Sequence, residues 1–101
     1  MTVDDLAELD LRHVTIIDVR TSEEFSEGHI PGSQLVPLPV LIAQDTQLSS
    51  TGTVYVVCGS GVRSTRAVET LRAHGIDAVV VAGGVLAWTA SGRPTSRGHV
   101  R

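Results

Sequence analysis

Apolar residues in this chain come in short unbroken runs, and each run is followed by a stretch with helical spacing or by a turn. Val14-Thr15-Ile16-Ile17-Asp18-Val19 is β-branched and apolar and predicts a buried strand. Thr53-Val54-Tyr55-Val56-Val57 is the clearest strand, Ala78 to Val81 is another, and Gln34-Leu35-Val36 is a shorter one ended by Pro37 and Pro39. The clearest helix runs from Ser64 to His74. Ala67, Val68 and Leu71 share one face of it, Arg66, Glu69 and Arg72 lie elsewhere, and Gly75 stops it. Shorter helices are predicted over Thr2 to Leu9, with Thr2 as cap and Asp5 closing a capping box, and over Val40 to Gln47. Another is predicted around Glu23, Glu24 and Phe25, capped by Thr21 or Ser22, and a last one opens at "GGVLAW" (83–88). "GHIPGS" (28–33) is a turn, 49–52 a loop, and 95–101 a polar tail free either to be disordered or to cover a site.

Strands thus alternate with helices from end to end, and the strands are apolar throughout. That pattern predicts a parallel sheet covered on both faces. Such sheets place ligand sites in the loops that follow the carboxyl ends of strands.

The chain has 101 residues, which suits one domain with a single core. With 42% hydrophobic and 19% charged residues the composition is globular; with 3% aromatics the core must be built from Val, Leu, Ile and Ala. All eight basic residues are arginine, read here as the bias of a GC-rich bacterial genome. A net charge of −3, without a basic tract, argues against a nucleic-acid partner. No apolar run approaches the roughly 20 residues of a membrane span. "MTVDDLAEL" has neither the basic nor the apolar region of a signal peptide. A lone cysteine excludes an intrachain disulfide, so the expectation is a cytoplasmic protein with a reduced thiol.

That cysteine is the candidate for chemistry. Cys58 ends the best strand, and Cys58-Gly59-Ser60-Gly61-Val62-Arg63 leads into the best helix. Glycines let successive N–H groups turn toward one centre, the helix start adds unpaired N–H groups and the positive end of its dipole, and Arg63 adds a charge. A thiol in such a place is expected to have a lowered pKa and to act as a nucleophilic thiolate. The bland reading, an inert buried cysteine before a turn, needs neither the glycines nor the arginine. Two anions suit the loop: a persulfide, or a phosphate or arsenate as in the Cys-x5-Arg cradle of cysteine phosphatases. Only four residues separate Cys58 from Arg63, and the tighter ring fits a single sulfur better.

With "IIDVRTSEEFSEGHIPGS" (16–33), "VVCGSGVRS" (56–64), "STRAVETLRAHGIDAVVVAGG" (64–84) and "GGVLAW" (83–88) in this order, the chain resembles a single-domain rhodanese of the sulfurtransferase family, from about Asp4 to Pro94. The resemblance implies an α/β/α sandwich with a mainly parallel five-stranded sheet. It implies Cys58 as the sulfur-accepting nucleophile and Gly59, Ser60, Gly61, Val62 and Arg63 as its persulfide-binding loop. The first five loop residues also look like those of mercaptopyruvate sulfurtransferases, but Arg63 departs from the residue that follows there. Thiosulfate is therefore the default donor, with a thiol, cyanide or a sulfur-relay protein as acceptor, and with no metal or organic cofactor. The competing classes are a non-catalytic binding module on the same fold and a cysteine phosphatase or arsenate reductase.

Around the loop, Ser64 is expected to cap the long helix, and Asp18 and Arg20 to form a structural pair beside the site. His29 is read as a satisfied turn residue, Phe25 and Trp88 as core or rim, and Glu23-Glu24 as a solvated helix face. His13, His29, His74 and His99 are scattered, without metal-ligand spacing to an acid or to the cysteine.

Overall fold

In the computed structural model, which describes residues 1–43, 52–59 and 61–98, the four apolar runs are strands β1 (Thr15–Asp18), β2 (Gln34–Leu35), β3 (Val54–Val57) and β4 (Ala78–Val80). They form one parallel sheet in the order β2-β1-β3-β4. The helices are α1 (Val3–Ala7), α2 (Ser22–Glu27), α3 (Leu38–Ala43), α4 (Val62–Ala73) and α5 (Gly84–Ala90).

Neighbouring side chains of a strand point to opposite faces, and here both faces are covered. Val54 and Val56 of β3 pack with Leu41 of α3 and with Ala67, Val68 and Leu71 of α4. Val57, with Ile16 of β1, packs with Val3 and Leu6 of α1 and with Val85 and Trp88 of α5. This explains why the strands carry no polar side to alternate with, and it gives the three-layer arrangement.

Among the described residues the sheet has four strands where the resemblance implied five. Beside β4 the chain makes one parallel bridge, Thr2 to Ala82, with the Ala82 N–H on the Met1 carbonyl at 2.7 Å. A strand cannot continue there because Thr2 is already the cap of α1. Its Oγ1 accepts the Asp5 N–H at 3.2 Å, and its own N–H donates to the Asp5 carboxylate at 3.0 Å. Helix α3 begins at Leu38, two residues before the expected start. Pro39 fits its first turn, where a missing N–H costs nothing. The expected helix over 44–47 and the loop at 49–51 lie outside the described residues. Helix α4 begins at Val62, not Ser64.

Just past β1 lies a buried ion pair. The Arg20 guanidinium donates to the Asp18 carboxylate at 3.0 and 2.8 Å and to the Gly28 carbonyl at 2.8 Å, which ties the end of β1 to the 28–33 turn. Both side chains are buried, Asp18 completely. In the same turn His29 donates from Nδ1 to the Phe25 carbonyl at 2.8 Å and stacks on the Phe25 ring at 3.7 Å. Removing one partner of a buried pair strands the other charge. Arg20→Ala should therefore cost about 3–5 kcal/mol of unfolding free energy, whereas Arg12→Ala, at the exposed Arg12–Asp10 pair, should cost less than about 1 kcal/mol. Urea unfolding of the two variants side by side checks this.

Candidate active site

In the order β2-β1-β3-β4 the chain runs from β1 to β2 on one side and then crosses to β3 on the other. The crevice at the carboxyl ends of β1 and β3 is where such sheets hold ligands. Cys58 follows β3 at this point, and Val19 and Arg20 follow β1. The Val19 N–H on the Val57 carbonyl at 3.0 Å keeps the two exits side by side.

Cys58 is 1% exposed. Its Sγ accepts the Gly61 N–H at 2.9 Å and lies 3.4 Å from the Ser64 hydroxyl, whose hydrogen can turn either to the sulfur or to the Gly61 carbonyl at 2.9 Å. Gly61 is the N-cap residue of α4 and supplies no side chain for the cap; at φ +123° it occupies a conformation that favours glycine. The sulfur thus takes one of the unpaired N–H groups at the start of α4. Burial pushes the Cys58 thiol up. The Ser64 hydroxyl and the backbone N–H groups of Ser64, Gly61 and Arg63 outweigh it, and the pKa falls below the ordinary thiol value. Ser64 is therefore not the helix cap expected from the sequence. It sits in the first turn, fully buried, with its hydroxyl against the sulfur.

Arg63 differs from expectation as well. Its guanidinium is held by the Glu24 carboxylate through Nη1–Oε1 at 2.7 Å and Nη2–Oε2 at 3.0 Å, so its charge is matched at the site. Glu24 is thus not simply part of a solvated face. It also closes the α2 capping box, accepting the Thr21 N–H at 3.1 Å. Its partner is 39 residues away, so no local pattern could have revealed the pair. Val62 is 80% exposed at the loop's rim, and Ser60 lies outside the described residues.

Helix α5 braces the loop from behind. The Val85 N–H donates to the Cys58 carbonyl at 2.9 Å and the Leu86 N–H to the Gly59 carbonyl at 3.2 Å. A Cβ on Gly84 would fall inside contact distance of the Cys58 carbonyl oxygen and 2.9 Å from that of Gly59, and Gly84 has φ +54°. This is the physical reason for the second glycine of "GGVLAW", a role the sequence reading did not assign. Its signal is a glycine pair placed directly before a helix.

A cavity of about 350 Å³ abuts the loop at Gly59. Part of its wall is the tail, which lies across the 26–29 segment: Ser96 and His29 exchange both backbone hydrogen bonds at 2.9 Å, and the Gly98 N–H reaches the Ser26 carbonyl at 2.9 Å. No helix among the described residues is long and apolar enough to cross a membrane, and none of their His, Cys, Asp and Glu side chains gather in threes that could hold a metal.

Comparison with known proteins fits this frame. The family model described as "Rhodanese-like domain" matches residues 2–91. The chain belongs to the rhodanese family. It is 30% identical over 86 residues to a sulfurtransferase of Allochromatium vinosum, covering 84% of this chain and 80% of that protein. A rhodanese-related protein of Thermoplasma volcanium superposes with a TM-score of 0.85 at 33% identity, over 94% of each chain. A thiosulfate sulfurtransferase of Pseudomonas aeruginosa gives 0.84 at 25% identity, over all of this chain and 20% of that one. This rhodanese-like domain spans 42% and 62% of the length of two Bacillus subtilis relatives.

Two expectations follow from this geometry. Gly84→Ala should lower stability by more than about 1 kcal/mol and disturb the Cys58 loop, because the clash adds to the left-handed strain; Gly92→Ala, with φ +78° and open space around it, carries the strain alone. Urea unfolding and the rate of Cys58 alkylation separate the two variants. The second concerns pH. Arg63 holds the Glu24 carboxyl at about 2 in place of 4.5. A lowered carboxyl pKa means the stabilisation is fully present above pH 4.5 and is lost as pH falls toward 2. Glu24 is 38% exposed, so wild type should exceed Glu24→Gln by about 0.2–1 kcal/mol at pH 7, and the gap should close near pH 2. Unfolding curves at several pH values measure it.

Proposed function

We propose that this domain is a sulfurtransferase that carries sulfane sulfur as a Cys58 persulfide. The observation that carries the reading is the sulfur of Cys58 at the start of α4, with the N–H groups of Gly61, Arg63 and Ser64 acting on it. Sulfur-transfer names among the relatives support it.

In the first step the Cys58 thiolate attacks the outer sulfur of thiosulfate. The S–S bond of the donor breaks, its electron pair leaves with sulfite, and Cys58–S–S⁻ remains. The N–H groups that steady the thiolate then face a persulfide anion, and fixed donors of this kind cost no reorganisation as charge moves. In the second step cyanide or a thiol takes the outer sulfur, and the electron pair of the breaking S–S bond returns to the Cys58 sulfur. The chain has no second cysteine, so the acceptor comes from outside: a small thiol, cyanide, or the thiol of a sulfur-relay protein.

Sulfur is favoured over phosphate by Arg63. A phosphatase loop needs its arginine free to fork two phosphate oxygens. Here Glu24 holds one N–H of each terminal nitrogen and balances the charge that a phosphate would need.

Incubating the reduced protein with thiosulfate should add one sulfur atom to its intact mass. The gain should be absent in Cys58→Ser and reversed by cyanide with release of thiocyanate. No gain with thiosulfate, mercaptopyruvate or polysulfide would remove the proposal and favour the binding-module reading.

A further inference from the structure

The open cavity beside the cysteine loop is larger than an inorganic anion needs. Its volume of about 350 Å³ lies in the range of roughly 300–1,000 Å³ common to small-molecule sites, far above what the five atoms of thiosulfate need. Gly59, Val85 and Leu86 give it an apolar side next to the loop. Four charged side chains also line it, and two of them are spent: Arg20 on Asp18, Glu24 on Arg63. Glu27 and Arg97 are the other two, and neither has an ion pair or side-chain hydrogen bond among the described residues.

Arg97 is there because the tail is docked. With Ser96 paired to His29, residues 95 and 97 project to one side of the extended segment, and both Thr95 and Arg97 line the cavity. The Trp88 indole N–H donates to the Pro94 carbonyl at 2.8 Å and fixes where the tail begins. This wall lies beyond the span matched by the family model, 2–91.

We propose that this cavity binds a small thiol, or its persulfide, of the amino-acid type. Its carboxylate would lie on Arg97 and Thr95, its ammonium on Glu27, and its carbon skeleton against Val85 and Leu86. One negative and one positive group on the ligand answer the two unspent charges, where an anion alone would meet Glu27 unopposed. The assignment rests on the persulfide reading above and supplies its acceptor: the acceptor thiol, R–SH, meets Cys58–S–S⁻, the S–S bond breaks, and Cys58–S⁻ and R–S–SH result. Run backward, the same step loads Cys58 from an amino-acid persulfide.

The test has two arms. Protein loaded at Cys58 is discharged into cysteine and into 2-mercaptoethanol at equal thiolate concentration. Cysteine should be several-fold faster. Arg97→Gln and Glu27→Gln should each lower the cysteine rate about five-fold, as expected for losing one exposed charge pair, and shrink its advantage. Equal rates in wild type, a preference that survives both substitutions, or discharge to a protein thiol alone overturns the proposal and leaves the persulfide reading intact. The second arm needs no turnover: S-methylcysteine is titrated into the protein and the amide signals of Glu27, Thr95 and Arg97 are followed by NMR. Shifts that saturate in wild type and weaken in Arg97→Gln support the site even if no donor loads Cys58, in which case only the persulfide reading falls. Absence of shifts at millimolar probe overturns the site.

Discussion

Everything at this site depends on where two carbonyl groups point. The Cys58 and Gly59 carbonyls are drawn toward the first turn of α5, onto the Val85 and Leu86 N–H groups. A trans peptide sends its N–H the opposite way from its carbonyl, so fixing the Cys58 oxygen on α5 turns the Gly59 N–H away from that helix. One helix start thus spends its orphan donors holding the loop's carbonyls. A second helix start, α4, offers its own donors to the sulfur. The bare backbone of Gly84 is what lets the two approach, since any side chain there would meet the Cys58 carbonyl.

The electrostatic consequence is that the sulfur is steadied by dipoles more than by a net charge. Arg63 would be the natural counter-ion, but Glu24 holds it with two short hydrogen bonds. Because Glu24 also closes the capping box of α2, the same carboxylate fixes a helix start and the arginine of the cysteine loop. Such a loop brings no unmatched cation to the sulfur. It leaves recognition of a charged substrate to groups farther out, of which Arg97 is the one cation in the neighbouring cavity without a partner among the described residues.

What could be read from the sequence was whatever is local. The apolar runs gave four strands to within a residue or two of their ends, and Thr2 with Asp5 gave the first helix cap, because backbone pairing and capping leave marks within a few positions. The strand count failed where the resemblance was followed instead of the residues: the chain reads as four strands, and the fifth was an inherited expectation that a capped helix start at Thr2 forbids. The start of α4 was placed two residues late because Ser64 looks like a cap. In the fold Gly61 is the N-cap and the Cys58 sulfur accepts its N–H, an arrangement that no propensity registers. Glu24 with Arg63, and Thr95 and Arg97 against the 26–29 segment, are contacts between distant parts of the chain, made by the sheet and not by spacing.

Burial of Cys58 bears on the proposed cycle. At 1% exposure the Cys58 thiol is shielded from bulky oxidants and from large alkylating groups, yet it must meet a donor. A sulfane donor presents a single terminal sulfur, the smallest group that can enter such a ring. In the proposed cycle, capture of that atom moves the reactive centre outward by one S–S bond, about 2 Å. In that cycle the unloaded thiol would offer an acceptor thiol nothing to attack, while the loaded form would present it with a sulfane sulfur. On this view a cavity beside the loop need not contain the cysteine at all; it needs only to hold an acceptor within reach of the outer sulfur. The cavity at Gly59 lies against the loop and is not lined by Cys58, which is the arrangement the proposed acceptor site calls for.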